Sequence, residues 1–306
     1  MPENESVRLL FIINPVSGKS KTDWPQLITA YFELLPHTIE LYQLPAEYNV
    51  QTVKYKIALF SPHCVIAVGG DGTVKLVAEC LIKKNISLGI LPAGSANGLA
   101  KELGIGDDPA GALDVLVNGS LQKIHVTKIN EQLCIHLSDI GLNAYVMKRF
   151  NMQAVRGMWG YFVATLKVIW SHPKLEIDMQ VDNKSIKTTA AIIVIANGTK
   201  YGTGALINPV GKLNDGVFEV IAVKKISLVE IFKMFFSHAP YNIHKTQIFQ
   251  TAALSIRSVK KVHFQIDGEY LGRIKEVKAF LIPAALQIIV PVPETDTALV
   301  LKKNEE

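Results

Sequence analysis

Residues 64–68, Cys-Val-Ile-Ala-Val, form an unbroken apolar run that passes directly into Gly69-Gly70-Asp71-Gly72-Thr73. A run without polar alternation suits a strand buried on both faces, as in a parallel sheet covered by helices. Two other segments repeat the arrangement. The run 7–13 ends in Asn14-Pro15-Val16-Ser17-Gly18-Lys19, and the run 86–91 ends in Pro92-Ala93-Gly94-Ser95-Ala96-Asn97. Helices are expected after each loop, over about 22–35, 73–84 and 95–103, with a further strand and helix over 38–43 and 49–59. Thr22 or Asp23 is placed to cap the first helix, with Pro25 in its first turn and Pro36 beyond its end. Strands alternating with helices predict an α/β domain with a mostly parallel sheet.

After about residue 124 the pattern changes. Short β-rich runs follow at 123–129, 175–181, 186–196, 217–223, 254–259, 262–266, 277–282 and 286–290. Asn214-Asp215-Gly216 and Asp267-Gly268 separate some of them as turns. These runs predict a second, largely antiparallel domain, with helices inserted near 159–170 and 228–236. The boundary falls within 122–127, and 306 residues suffice for two cores.

A chain that is 49% apolar and 19% charged is globular rather than disordered. Its formal charge of +5 suits a phosphorylated ligand or an anionic surface. It lacks the dense basic stripe with interleaved aromatics of a nucleic-acid binder. Cys64, Cys80 and Cys134 are odd in number and have no metal-ligand spacing, which fits a reducing compartment. The acidic start Met1-Pro2-Glu3-Asn4-Glu5 and the short apolar run after it do not make a signal peptide. No run approaches the roughly 18 apolar residues of a membrane span, so a soluble, cytoplasmic protein is expected.

The three strand-end loops carry the chemistry. Loops at the carboxyl ends of parallel strands form the ligand crevice, and the helices that follow favour anions. In the first loop Gly18 permits close backbone approach, Ser17 offers a hydroxyl and Lys19 a charge. The loop does not fit the Walker spacing, and an ordinary strand-to-helix turn accounts for it equally well. In the second, three glycines in four positions turn backbone N–H groups toward one point, as phosphate oxygens require. Asp71 within that loop makes sense as a magnesium ligand or a proton acceptor, the alternative being a cap on its own helix. In the third, Ser95 is placed to cap a helix or bind phosphate, and Asn97 to donate to either. Convergence of all three loops, rather than any one of them, points to a nucleotide site.

Asn-Pro-x-Ser-Gly, Gly-Gly-Asp-Gly-Thr and Pro-Ala-Gly-Ser-x-Asn, in this order, resemble the diacylglycerol kinase catalytic domain family, which includes bacterial lipid kinases and sphingosine and ceramide kinases. Leu213-Asn214-Asp215-Gly216-Val217 and Asp267-Gly268-Glu269 extend the likeness over nearly the whole chain. The resemblance implies a Rossmann-like nucleotide-binding kinase domain over 1–125, to which 294–306 would return. It also implies a β-sandwich-like lipid-substrate domain over 126–293, with the active site in the cleft between. It implies that Asn14, Pro15, Val16, Ser17, Gly18, Gly70, Asp71, Gly72, Thr73, Ser95 and Asn97 bind ATP. Asp71 would hold Mg2+ or act as base, with Glu269 as the alternative or cooperating base. A structural Mg2+ would take the Asp215 carboxylate and the carbonyls of Lys212 and Val217. The expected partner is a lipid with a free hydroxyl at the inner face of a membrane; a homodimer is left open.

The chain departs from the family in several places. Lys75 and Leu76 stand where many relatives have Asn-Glu, and Gly98 and His125 where bacterial relatives often have Asp. Tyr145 replaces the acid that receives the lipid amine in sphingosine kinases, which argues against sphingosine. A stripe of Leu228, Ile231, Phe232, Phe235 and Phe236 near Lys224, Lys225 and Lys233 either packs on a sheet or meets lipid. Two other functions share parts of the pattern. One is a small-molecule kinase of the NAD kinase and phosphofructokinase group, and the other a non-catalytic nucleotide or lipid sensor.

Overall fold

The structure, a computed structural model, describes residues 6–18, 22–141, 144–145, 174–182, 184–201, 204–237 and 239–292. The helix expected over 159–170 and the tail 294–306 lie outside the described residues. Contacts divide the chain into two units, Met1–Lys123 with Leu286–Glu306, and Ile124–Ala285.

The first unit alternates strand and helix: β1 (Arg8–Ile13), α1 (Trp24–Phe32), β2 (Thr38–Gln43), α2 (Val50–Phe60), β3 (Cys64–Gly69), α3 (Asp71–Leu81), β4 (Ser87–Pro92), α4 (Gly98–Glu102) and α5 (Pro109–Asn118). Its strands run parallel in the order β4-β3-β1-β2. Every residue of β3 is buried, as its unbroken apolar run requires. Three helices start on side-chain caps: Asp23 accepts from the Gln26 N–H, Asn49 from Thr52 and Asp108 from Gly111. Two helix starts differ from expectation. Helix α3 begins at Asp71 rather than Thr73 because Gly70, in extended backbone, serves as its N-cap without a side chain. Helix α4 begins at Gly98 rather than Ser95 because Asn97 is held at φ +52, outside the helical region.

The second unit is antiparallel. Strand β5 (Ser120–Ile129) leads into it, followed by β6 (Gln132–Cys134), β7 (Leu137–Gly141), β8 (Leu175–Val181), β9 (Lys184–Ala190), β10 (Ile192–Ala196) and β11 (Phe218–Val223). A short helix α6 (Leu228–Phe232) continues as a π turn over Lys233–Ser237, and β12 (Thr246–Thr251), β13 (Ala253–Ile266) and β14 (Glu269–Val290) complete the unit. The order is β12-β11-β10-β7-β13-β14, with the β8–β9 hairpin also on β13. Strand β10 is buried on both faces. Its Ile193 and Ile195 join the main core with Phe218, Met179 and Ile256, while Val194 and Ala196 join a smaller cluster with Leu137, Ile207 and Ile221. The runs 254–259 and 262–266 prove to be one strand with a register shift between Arg257 and Val262. The last two expected strands are likewise one, β14, whose final residues from Leu286 belong to the first unit. There Ile288 pairs in parallel with Leu88 of β4. No helix among the described residues is long and apolar enough to cross a membrane.

Candidate active site

Adjacency of β4, β3 and β1 brings the three loops together at the carboxyl ends of the parallel strands. They touch backbone to backbone. Gly18 has φ +66, and a Cβ there would lie 2.2 Å from the Ala93 carbonyl oxygen. A Cβ on Gly94 would lie 2.4 Å from the Gly70 Cα. Neither collision involves a side chain that could move aside, so glycine is required at both positions. The Ala93 N–H donates to the Gly69 carbonyl at 3.0 Å, tying the third loop to the second.

Asn14 organises the first loop. Its N–H donates to the Val68 carbonyl at 3.0 Å, its Oδ1 accepts from the Val16 N–H at 3.2 Å, and its carbonyl accepts from the Ser17 Oγ at 2.8 Å. Its Nδ2 donates to Thr73 Oγ1 at 3.2 Å, joining the first and second loops. Thr73 is buried with its side chain over Gly69, so its hydroxyl locks the loops together. Pro15, Val16, Gly18, Gly72 and Ser95 remain exposed, and a Cβ on Gly72 would meet only open space. Lys19 lies outside the described residues.

Asp71 makes a connection that local sequence does not disclose. Its Oδ2 accepts the Gly98 N–H at 3.0 Å and its Oδ1 the Leu99 N–H at 3.1 Å. The carboxylate therefore caps α4, a helix it does not belong to. This interaction compensates for Asn97, which gives α4 no side-chain cap. The amide of Asn97 ties its own loop to the connection that follows α4. Its Oδ1 accepts from the Gly94 N–H at 2.9 Å, while its Nδ2 donates to the Gly94 carbonyl at 3.1 Å and to Asp107 Oδ1 at 2.9 Å. Asp107 was not singled out from the sequence, where it is one acid in a polar connection.

In the second unit, Asp267 and Gly268 form the two-residue turn between β13 and β14, at φ +49 and +85. Asp267 also holds a strand start. Its carboxylate accepts the N–H groups of Ile135, His136 and Leu137 at 3.2, 3.0 and 3.2 Å. Glu269, the first residue of β14, is exposed. Asp215 is exposed too, and its Oδ1 accepts the Val217 N–H at 3.3 Å. Lys212 is exposed and Val217 half-buried on the same loop. The described residues contain no group of three or more His, Cys, Asp or Glu side chains arranged to hold a metal. His125 is structural: its Nδ1 accepts the Ala284 N–H at 2.9 Å, and its own N–H donates to the Leu213 carbonyl at 2.7 Å. The Tyr145 ring lies 4.9 Å from the His263 ring, whose Nδ1 is 2.7 Å from the Tyr270 hydroxyl.

Residues 8–129 match the diacylglycerol kinase catalytic domain, and residues 138–290 match the YegS C-terminal NAD kinase beta sandwich-like domain. The chain belongs to the diacylglycerol kinase-like lipid kinase family. Curated diacylglycerol kinases from two Staphylococcus aureus strains, bovine RF122 / ET3-1 and JH9, are each 26% identical to it over 281 residues, 87% of either chain. A crystal structure of a diacylglycerol kinase from Bacillus anthracis str. Sterne shares its fold, with TM-score 0.71 and 18% identity over 94% of this chain and 97% of that one. An NAD kinase from Archaeoglobus fulgidus in complex with ATP is more distant, with TM-score 0.56 and 12% identity over 98% and 99%. In this lipid kinase family member the expected α/β domain and β-sandwich-like domain are both present.

Proposed function

We propose that the protein transfers the terminal phosphoryl group of ATP to a hydroxyl of a diacylglycerol- or sphingoid-like lipid in a Mg2+-dependent reaction. The observation that carries this reading is the glycine-on-backbone convergence of the three strand-end loops, Gly18 on Ala93 and Gly94 on Gly70. Such a glycine-lined surface next to the amino terminus of α3 suits phosphate oxygens. Asn14 to Gly18, Gly70 to Thr73 and Ser95 would line the phosphates, with Thr73 and Asn97 acting by holding the loops in shape.

Asp215 with the carbonyls of Lys212 and Val217 is an all-oxygen donor set of the kind a hard cation takes, so the residues fit a structural Mg2+. Magnesium bound with ATP would supply charge neutralisation on the phosphoryl group. Both oxygens of Asp71 already accept N–H groups, whereas Glu269 is exposed. This difference supports Glu269 as the base that takes the lipid hydroxyl proton while the hydroxyl oxygen bonds to the γ-phosphorus and the bond from that phosphorus to the departing ADP breaks, and Asp71 as the group that fixes the phosphate loops. The residues up to 125 would then be the nucleotide domain, and 126–293 the lipid domain.

The test is incubation of the purified protein with labelled ATP and total lipid extract, followed by identification of the labelled product. A labelled lipid monophosphate, lost in Glu269→Gln, is the expected result. Label appearing only in NAD or in a sugar phosphate would overturn the lipid assignment.

A further inference from the structure

A bulge in β14 gathers four side chains that neither the phosphate loops nor the proposed base uses. Between the pairs Gln265–Tyr270 and His263–Arg273, the single residue Phe264 of β13 stands opposite Leu271 and Gly272 of β14. Gly272 has φ +95, the left-handed backbone that such a bulge takes. In a regular strand, side chains three residues apart point to opposite faces. The extra residue cancels that alternation, so Tyr270 and Arg273 both reach His263. His263 Nδ1 is 2.7 Å from the Tyr270 hydroxyl, and Arg273 Nε donates to His263 Nε2 at 3.3 Å. The Tyr145 ring stands 4.9 Å from the His263 ring.

The chemistry of these contacts fixes the direction of each hydrogen bond. Arginine has only donors, so His263 Nε2 must accept, and the ring proton sits on Nδ1, facing the Tyr270 oxygen. That oxygen accepts from the ring, which leaves the tyrosine proton for an acceptor other than His263. His263 is buried and Tyr270 half-buried, whereas Arg273 is exposed. Among the described residues its guanidinium bonds only to His263, and no carboxylate pairs with it. The acids nearby are engaged elsewhere. Asp139 accepts from Gln265 Nε2 at 2.6 Å, Asp267 holds the start of β7, and Glu276 pairs with Arg257 at 3.0 Å. Glu269 stands opposite Ile266, and alternation sets that pair on the other strand face from Gln265 and Tyr270. Lys275, also exposed, continues the face of Arg273 two residues on.

We propose that Arg273 and Tyr270, braced by His263 and Tyr145, form a binding site for a phosphate monoester. An arginine held at Nε presents its two terminal NH2 groups as donors to a pair of phosphate oxygens, and the Tyr270 hydroxyl supplies a third. Arg273 offers donors and positive charge alone, which suits an oxyanion and repels an ammonium group. Its bond to His263 restrains the side chain in advance, so less freedom is lost on binding. Phosphate monoesters have two sources here: free phosphate in solution, and the lipid phosphate that the proposed reaction would release. The site rests on the bulge and its hydrogen bonds and not on the kinase reading.

The experiment is calorimetry of the full chain with inorganic phosphate and, separately, with dihexanoyl phosphatidic acid kept below its micelle concentration. Adenylyl imidodiphosphate is present at saturation in both, to occupy the strand-end loops. Arg273→Ala is expected to weaken binding by at least about tenfold, because a charge-assisted, bidentate contact is lost. Arg273→Lys keeps the charge but not the fork and should recover only part of that affinity. Tyr270→Phe should weaken binding by about threefold to tenfold. Urea denaturation checks that each variant stays folded. Equal affinity in the parent and Arg273→Ala overturns the proposal, since a merely structural arginine would leave phosphate binding unmoved. Absence of binding of either ligand by the parent overturns it too. Where binding depends on Arg273, a preference for the lipid phosphate of no more than about tenfold identifies the phosphate group alone as the ligand. A larger preference identifies the lipid phosphate. The kinase reading is scored apart, on labelled lipid product. Failure to phosphorylate any lipid leaves this site standing, and binding that ignores Arg273 leaves the kinase reading standing.

Discussion

Replacing Asp71 by Asn changes one atom, and the structure shows which interaction that atom holds. Both carboxylate oxygens accept N–H groups from the first turn of α4, at 3.0 and 3.1 Å. An Asn can satisfy one of them with its carbonyl oxygen and must turn its NH2 toward the other, donor against donor. Losing one helix-cap hydrogen bond costs about 1 kcal/mol, and removing negative charge from a helix amino terminus costs about 0.3–1 kcal/mol more. Leaving an N–H partly shielded without an acceptor brings the total to about 2 kcal/mol. Domains of this kind are stable by about 5–15 kcal/mol, so Asp71→Asn should fold and yet be measurably weaker. Urea denaturation of parent and variant should show a lower midpoint with unchanged slope, and ATP turnover on the identified lipid should be lost. A stability within about 0.5 kcal/mol of the parent would refute the remote cap. Near-normal turnover would refute the placement of Asp71 in the phosphate-loop machinery.

Three further outcomes are expected. Gly94→Ala drives a Cβ to 2.4 Å from the Gly70 Cα, so it should abolish ATP binding, measured by calorimetry, and lower stability by about 1–3 kcal/mol. Asp267→Ala leaves three N–H groups at the start of β7 without their acceptor and should cost about 2–4 kcal/mol in denaturant unfolding. The Cys64 thiol, raised by burial from 9.0 to about 12, keeps its proton when the unfolded chain has lost it. Stability is therefore unaffected below pH 9 and falls as pH rises from about 9 toward 12, by about 1.4 kcal/mol per pH unit. Cys64→Ala should remove that part of the decline in denaturation curves taken at pH 8 and pH 10.

Much of the first unit was legible because its signals are local. Unbroken apolar runs mark β1, β3 and β4 as strands buried on both faces, and Asp23 and Asn49 cap the helices they precede. The second unit was less legible. Its runs at 277–282 and 286–290 look like separate strands because Pro283, which has no N–H to give a ladder, falls between them, yet β14 continues from Glu269 to Val290. The start of α4 was misplaced for a related reason: Ser95 is a good cap by composition, but Asn97 is held left-handed by bonds to Gly94 and Asp107.

From its sequence alone the chain fixes where strands end in glycine loops and which loops carry acids. Those features depend on neighbours within a few residues, through φ preferences, caps and burial of runs. Tertiary structure alone decides what the acids touch. Asp71 reaches a helix 27 residues on, and Asp267 reaches back 130 residues or more to Leu137, His136 and Ile135. Hydrogen-bond partners at such separations are set by the order in which strands pair. That order follows from how the whole chain buries its apolar faces, which no local window contains.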